Sequence, residues 1–409
     1  MIRKSAGFCW GLSLVVFVIF ASGAAFGDSR VLIEKKTRPG SGVHQTHTIA
    51  EDKIIIKRLK GPNYTINYRR CIDPSHKTNG TPVGNNDIGV GLEIPTLSNW
   101  YYAKSFFIYT NGYNDRDDVT SEVPAQYYVA DLPDRTLVTF VWDGRNVTAN
   151  LTFAILAGRD DVFLDAKITP KKPLESLIAS FFNFPSGFTQ AWKASGDRWV
   201  AASSGKEFNV KCYADGGSWK SDPDVRGTLN VPDNSWIFFG DKLLDPAKKL
   251  GNGASGLFFL PDNITKCQLI VGGYFAKANL DLNTKGGDFR MALREFAGMP
   301  NDKSFKYMSE EWPAVREILT KNDFDINKAL KQELTSTLAK MRKSLAGCSS
   351  SKLSPADAAK LSAYKSELED IERIAGKADA SLAELGASKD RSQALTKDVT
   401  AFGLSTLVN

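Results

Sequence analysis

The sequence predicts a mostly β protein, a large antiparallel β-sandwich of the super-sandwich type carrying an α-helical hairpin at its C-terminal end. Three observations predict it. Between about residues 48 and 300, short β-branched and aromatic runs are punctuated by Gly, Pro, Asn and Asp. Few helical patterns separate those runs, whereas parallel βαβ units would require them. Beyond Pro313 aromatic residues almost vanish, and Ala, Leu, Lys and Glu take over. The expected organisation is therefore a leader over residues 1–27, a sandwich over 28–312 and a helical region over 313–409. At 409 residues, 42% hydrophobic and 24% charged, the chain has enough apolar content to bury a large core.

The N-terminus reads as an export signal. Arg3 and Lys4 form a positive start, Leu12 to Phe20 an apolar run, and Ala25-Phe26-Gly27 a small-residue site before Asp28. A retained anchor is the alternative, because the uncharged run from Phe8 to Phe26 approaches the ~20 residues a bilayer needs. No later stretch is apolar enough to span a membrane. The expected location is secreted or periplasmic.

The plainest strand signal is the hairpin TLVTFVWDGRNVTANLTFAIL, where Asp143-Gly144 predicts a two-residue turn. After it Val147, Ala149, Leu151, Phe153 and Ile155 alternate with Asn146, Thr148, Asn150 and Thr152, the period of a sheet with one buried face. Further strands are expected at 162–168, 235–240, 255–260, 266–283 and 289–296. In the tail, Asp325 precedes Leu330, Leu334, Leu338, Met341 and Leu345, which share one helical stripe. Ser354-Pro355-Ala356-Asp357 then supplies a cap, a first-turn proline and an early acid for a second helix. Residues 347–351 are the hinge. The stripe of this hairpin packs within the chain or serves self-association.

Charge and cysteine usage exclude some classes. Removing residues 1–27 takes away Arg3 and Lys4, so the formal net charge falls from +6 to +4. That bias is small and its basic residues are scattered, which speaks against nucleic acid as a partner. Cys71, Cys212, Cys267 and Cys348 remain, permitting three pairings, of which Cys212 with Cys267 joins two strand-like segments. No CxxC occurs, and no cofactor motif such as a phosphate-binding glycine loop. Asn-x-Ser/Thr sequons stand at Asn63, Asn79, Asn146, Asn150 and Asn263, the third and fourth on the expected polar face of the hairpin.

Residues 253–298, GASGLFFLPDNITKCQLIVGGYFAKANLDLNTKGGDFRMALREFAG, resemble the closing strands of a galactose-mutarotase-like super-sandwich. The texture is a Gly-Leu-Phe-Phe strand, a Pro-Asp turn, a long strand and a final FRMALREF edge. The resemblance implies a sugar-facing concave sheet. Mutarotases work with histidine and glutamate on that face, whereas His44, His47 and His76 all precede residue 80 here. The resemblance therefore implies binding without a mutarotase mechanism.

Candidate site residues follow from ring chemistry. Trp100, Tyr102, Tyr113, Trp192 and Trp219 are the expected carbohydrate-binding residues, with Phe106 among the flanking rings, because aromatic faces stack on pyranose rings. Trp100-Tyr101-Tyr102 cannot all share one strand face. Asn111, Asn114, Asp115, Asp117 and Asp118 offer oxygen ligands for a hard cation, but Arg116 among them opposes one, and no metal site is expected. His44 and His47 lie in a Gly/Pro loop without a third ligand. Acids for glycosidic chemistry could come from Glu93, Asp143, Asp160, Asp161, Asp165, Asp197, Asp215, Asp222, Asp224 or Glu295, but spacing in sequence selects no pair. The expected function is an exported carbohydrate-binding protein. A secreted polysaccharide lyase or glycoside hydrolase, and an assembly protein acting through its C-terminal helices, are the alternatives.

Overall fold

The computed structural model describes residues 30–408 apart from 41–47, 59–62, 73–88, 94–105, 112–118, 184–187, 196–197, 202–209, 212–213, 216–217, 220–224, 231–235, 242–243, 246, 249–252, 272–275 and 348–352. Its first strands are β1 (Val31–Pro39), β2 (Thr48–Ile56), β3 (Tyr64–Cys71), β4 (Gly89–Glu93) and β5 (Phe106–Thr110), followed by a single helical turn α1 (Val119–Glu122). Next come β6 (Gln126–Asp131), β7 (Arg135–Asp143), β8 (Val147–Leu156), β9 (Val162–Pro170), β10 (Leu177–Asn183), β11 (Phe188–Ser195) and β12 (Arg198–Ala201). Three two-residue strands, β13 (Val210–Lys211), β14 (Ala214–Asp215) and β15 (Ser218–Trp219), precede β16 (Val225–Asn230) and β17 (Trp236–Asp241). The last strands are β18 (Ser255–Phe259), β19 (Ile264–Val271), β20 (Ala276–Leu282) and β21 (Phe289–Glu295). Helices α2 (Asn301–Lys321), α3 (Ile326–Ala346), α4 (Pro355–Gly376) and α5 (Leu382–Val408) complete the chain.

Two antiparallel sheets form the sandwich. The first, sheet A, runs β1-β2-β3-β4-β5-β10-β20-β19-β16, and the second, sheet B, runs β12-β11-β17-β18-β21-β9-β8-β7-β6. Alternation along each strand sends one set of side chains between them. Ile54, Tyr64, Val90, Phe106 and Phe181 from sheet A meet Phe140, Trp142, Phe153, Leu164 and Phe239 from sheet B in one continuous core. Phe106 packs edge-on against Phe153 and Phe181, with centroids 5.2 and 5.4 Å away.

A second core lies on the far side of sheet B. Phe163, Trp236, Phe238 and Phe258 there meet Phe305 and Met308 of α2, together with Leu330, Leu334 and Leu338 of α3. Asp325 caps α3 by accepting from the amides of Asn327 and Lys328, and Ser354 caps α4 by accepting from Asp357. The expected hairpin is thus part of a four-helix layer in which α3, α4 and α5 contact one another and α2 contacts the sheet. The C-terminal helical layer begins at Asn301, ahead of Pro313, which lies inside α2. None of the described helices is long and apolar enough to cross a membrane.

Several local expectations need correction. The β7–β8 hairpin forms, with Val147, Ala149, Leu151, Phe153 and Ile155 all buried, but Asp143 pairs with Thr148, so the connection spans residues 144–147. The two-residue turn at Asp143-Gly144 does not occur. Asn146 is buried and donates its amide to the Thr110 hydroxyl at 2.7 Å, which leaves no room for a glycan there. The run at 266–283 divides into β19 and β20, antiparallel with Val271 opposite Ala276. FRMALREF is an interior strand, since β21 sits between β18 and β9. Cys267 is a free thiol buried in the inter-sheet core, so the expected Cys212–Cys267 bridge is not formed. Burial pushes that thiol well above its ordinary range. Cys212 and Cys348 lie outside the described residues, as does the leader.

Gly253 is required where β18 begins. Its φ is +102°, and a Cβ there would stand 2.8 Å from the Gly298 nitrogen and 3.1 Å from the Phe296 carbonyl oxygen. Backbone cannot retreat as a side chain can, and L-residues rarely adopt that φ. Gly253→Ala is expected to cost about 2–3 kcal/mol, read as a lower denaturant midpoint at unchanged m-value. A loss below about 0.5 kcal/mol would contradict it.

Candidate functional site

A two-sheet sandwich has four sheet faces. Two make the inner core, and α2 and α3 cover the outer face of sheet B through contacts to β6, β7, β17, β18 and β21. The outer face of sheet A remains. Its residues follow from alternation and register: Lys36, Glu51, Arg69 and Gly89 stand in one cross-strand row, and Glu34, Lys53, Asn67 and Gly91 in the next. Further along, Phe107 and Tyr109 face Ser180 and Ile178, which face Asn279 and Asp281.

This face combines rings with hydrogen-bonding groups. Phe107 and Tyr109 stack with centroids 5.8 Å apart at 8°, and Phe182 approaches Phe107 edge-on at 6.1 Å. Phe107 and Phe182 are partly exposed, whereas Tyr109 is buried. The Lys277 ammonium lies over the Phe182 ring at 5.5 Å. Ser180 donates to Asn279 Oδ1 at 2.8 Å, and Asn67 Nδ2 donates to Glu93 Oε2 at 2.9 Å. Asn67, Ser180 and Asn279 are at 2% exposure or less, so the centre of this face is shielded from solvent and only its rings Phe107 and Phe182 and the Glu93 carboxylate reach it in part.

The electrostatic centre of the face is Glu51, 1% exposed. Arg69 Nε lies 3.0 Å from one carboxylate oxygen, Arg38 Nε 3.6 Å from the same oxygen, and Lys36 Nζ 3.2 Å from the other. Burial alone would raise the Glu51 pKa, but Arg69 and Lys36 outweigh it and hold the carboxyl below its ordinary range. Glu51 therefore stays charged and serves as an anchor for cations.

The carboxylates elsewhere in the sandwich are engaged differently. Asp165 pairs with Arg290 at 2.9 Å and Asp143 with Lys171 at 2.5 Å. At one rim of the sandwich Asp160 contacts Arg58 and Arg294, while Asp161 pairs with Arg159 at 2.6 Å and accepts from Tyr307 at 3.3 Å. Arg159 also reaches Glu311 of α2 at 3.1 Å, tying that helix to the β8–β9 connection. Tyr64 and Tyr307 in this rim are each pushed up to about 12, chiefly by burial. They stay protonated at neutral pH and donate hydrogen bonds; neither is poised as a base. Asp143, Asp160, Asp161 and Asp165 are thus held by cations, whereas Glu93 is held by the neutral amide of Asn67 on the outer face of sheet A.

The sequence-predicted site residues fare unevenly. Trp100, Tyr102 and Tyr113 lie outside the described residues, as do Asp197, Asp222, Asp224, the three histidines and the 112–118 loop. Trp192 lies on β11 opposite Phe238, and Trp219 on the small β14–β15 pair opposite Ala214. Phe106, expected among the ligand rings, is 2% exposed and faces the inner core, so the outward rings of that strand are Phe107 and Tyr109. Phe182, Asn67 and Asn279 were not singled out from sequence. The signal for them is alternation in IASFFN and TINYRR, but only pairing with β5 and β4 shows which alternate set faces out.

No family model matches the chain, and no curated protein matches it. Solved structures do resemble it at low identity. An α-galactosidase from Lactobacillus brevis is 10% identical with a TM-score of 0.31, the match covering 66% of this chain and 40% of that one. A candidate aldose 1-epimerase from Escherichia coli K12 is 10% identical with a TM-score of 0.33, over 60% of this chain and 98% of that one. An α-mannosidase from Enterococcus faecalis V583 is 8% identical with a TM-score of 0.38, over 64% and 31% respectively. This chain thus spans well under two thirds of the two glycosidases. At these scores none of the three assigns a family or an activity.

Proposed function

We propose that this chain is an exported saccharide-binding protein whose ligand lies on the outer face of sheet A. The observation that carries the reading is the union on that face of two partly exposed rings, Phe107 and Phe182, with the Asn67–Glu93 and Ser180–Asn279 hydrogen-bonding pairs. A pyranose ring has apolar C–H faces and a polar rim of hydroxyls. Rings stack on the former, and amide and carboxylate oxygens accept from the latter. The N-terminal signal supports export, and the described acids held by cations favour binding over hydrolysis.

The test is a titration of a panel of neutral and acidic polysaccharides with the full chain and with a Phe107→Ala/Phe182→Ala double variant. Each ring removed from contact is expected to cost about 1–2 kcal/mol, so the double variant should bind at least about tenfold more weakly. Both rings are partly buried and touch each other, so the thermal midpoint is measured alongside and the titration is run well below it. Failure of every polysaccharide to bind, or equal binding by the double variant, contradicts the reading.

A further inference from the structure

We propose that two copies of this chain join along β1, the edge strand of sheet A, as an antiparallel pair centred on Lys35. All nine residues of β1 pair with β2, and no described strand lies on its other side. The Lys57 amide donates to the Arg30 carbonyl at 2.8 Å, which places residues 30 and 57 at a hydrogen-bonded site of that ladder. By the alternation of an antiparallel pair, Leu32, Glu34, Lys36 and Arg38 therefore turn their backbone groups toward β2. Ile33, Lys35 and Thr37 turn theirs off the edge. Lys35 and Thr37 are exposed, and none of the three makes a further backbone hydrogen bond among the described residues. Such a row of outward N–H and C=O groups is a template for one more strand.

The charge pattern of β1 selects its own copy as that strand. Two edges that meet through their outward groups must set these residues against one another. With Lys35 on the two-fold axis, Ile33 faces Thr37 of the second copy, and all three outward residues of each chain are engaged. The same register places Glu34 directly opposite Lys36 of the second copy, and does so twice because the contact is symmetric. Moving the centre to Glu34 sets that acid against itself. Moving it to Lys36 sets two ammonium groups together and brings Pro39, which lacks an N–H, opposite Ile33.

Both members of the new ion pair are available. Glu34 is exposed and forms no ion pair within its own chain among the described residues. Lys36 lies 3.2 Å from Glu51, but Arg69 and Arg38 share that carboxylate, and 51% of the Lys36 side chain stays exposed. Lysines on an edge ordinarily deter pairing. In this register only the Lys35 pair on the axis repels, and its long exposed stems swing apart into water. Contact along one strand buries less than the ~1,200 Å² of a standard interface, so the dissociation constant is expected to be on the order of tens of micromolar.

The test is sedimentation velocity of the full chain over a concentration series reaching about tenfold above that constant. A monomer–dimer equilibrium is expected. Lys35→Pro removes an outward N–H that the single chain does not use, at an edge position where proline is tolerated, and should weaken the dimer at least about tenfold. Glu34→Lys, which leaves the backbone untouched, should weaken it by a similar factor, and the difference from the unsubstituted chain should shrink as salt rises. The register is read by mild oxidation of single cysteine variants. Lys35→Cys should give a disulfide-linked dimer, because residues facing across a hydrogen-bonded site stand about 5.5 Å apart at Cα. Glu34→Cys and Lys36→Cys should not exceed the background of the unsubstituted chain. A monomer throughout the series, a dimer unaltered by both Lys35→Pro and Glu34→Lys, or cross-linking at position 34 or 36 in place of 35 overturns the proposal, whatever the saccharide titration shows.

Discussion

Replacing Lys389 by Met is expected to lower the unfolding free energy by about 3–5 kcal/mol near neutral pH. Lys389 of α5 is 13% exposed and donates to Glu333 of α3 at 2.8 Å and to the Val129 carbonyl of β6 at 2.6 Å. Glu333 accepts as well from the Asp131 amide at 3.1 Å, so one buried pair fastens two helices to an edge strand. Asp131, the other acid facing the pair, is itself matched by Arg30 at 3.0 Å. Deleting the ammonium leaves a buried carboxylate without its counter-charge, the costly half of breaking such a pair. Burial already raises the Glu333 pKa above its ordinary 4.5, against the opposing pull of Lys389. A raised folded-state pKa contributes stability that is complete below the unfolded value and is lost as pH rises. The variant raises it further, so its deficit should be largest near neutrality and shrink as pH falls toward 4.5. Urea melts at both pH values check this. A deficit under about 1 kcal/mol, or one that grows on acidification, contradicts the role assigned to the pair.

Phe258→Ala is expected to cost a similar amount, about 3–5 kcal/mol, without touching ligand affinity. Phe258 is fully buried on the helix side of sheet B, opposite Trp236 and Ala292 in the ladders. It stacks on Trp312 of α2 with centroids 6.1 Å apart at 6°. Its loss opens a cavity where the helix layer meets the sandwich, at a site whose neighbours are fixed in a ladder and collapse poorly. The outer face of sheet A lies across the inner core from it. Denaturant melts and saccharide titration on the same preparation therefore separate the two faces: a large drop in stability with unchanged affinity is expected. Lost affinity in a still-folded variant would place the ligand on the helix side.

Much of this architecture was legible because its signals are local. Alternation at Val147 to Ile155, the Asp325 cap and the Ser354-Pro355 start each depend on a few adjacent residues, and each appears in the structure. Helix α2 was hidden because Phe305, Tyr307 and Trp312 read as strand residues and Pro313 reads as a stop, yet Phe305, Met308, Val315 and Leu319 are buried along one helix. Tertiary burial against Trp236 and Phe238 outweighs the backbone bond that Pro313 forfeits. The turn at residues 144–147 escaped because Asn146 is drawn inward by Thr110, a partner 36 residues away. The site was the least legible part. In FFIYT the alternation is plain, but inward and outward sets are equally apolar, and packing against Phe153 and Phe181 selects Phe106 as the inward ring.

The central claim is that the outer face of sheet A is the binding surface, since the helices occupy the corresponding face of sheet B. Hydroxyl-radical footprinting of the full chain, with and without a saturating polysaccharide from the panel, tests it most directly. Protection of Phe107 and Phe182, with Tyr364 of α4 oxidised equally in both states, is the predicted result. Unchanged oxidation of Phe107 and Phe182 alongside protection of the helix layer would contradict it.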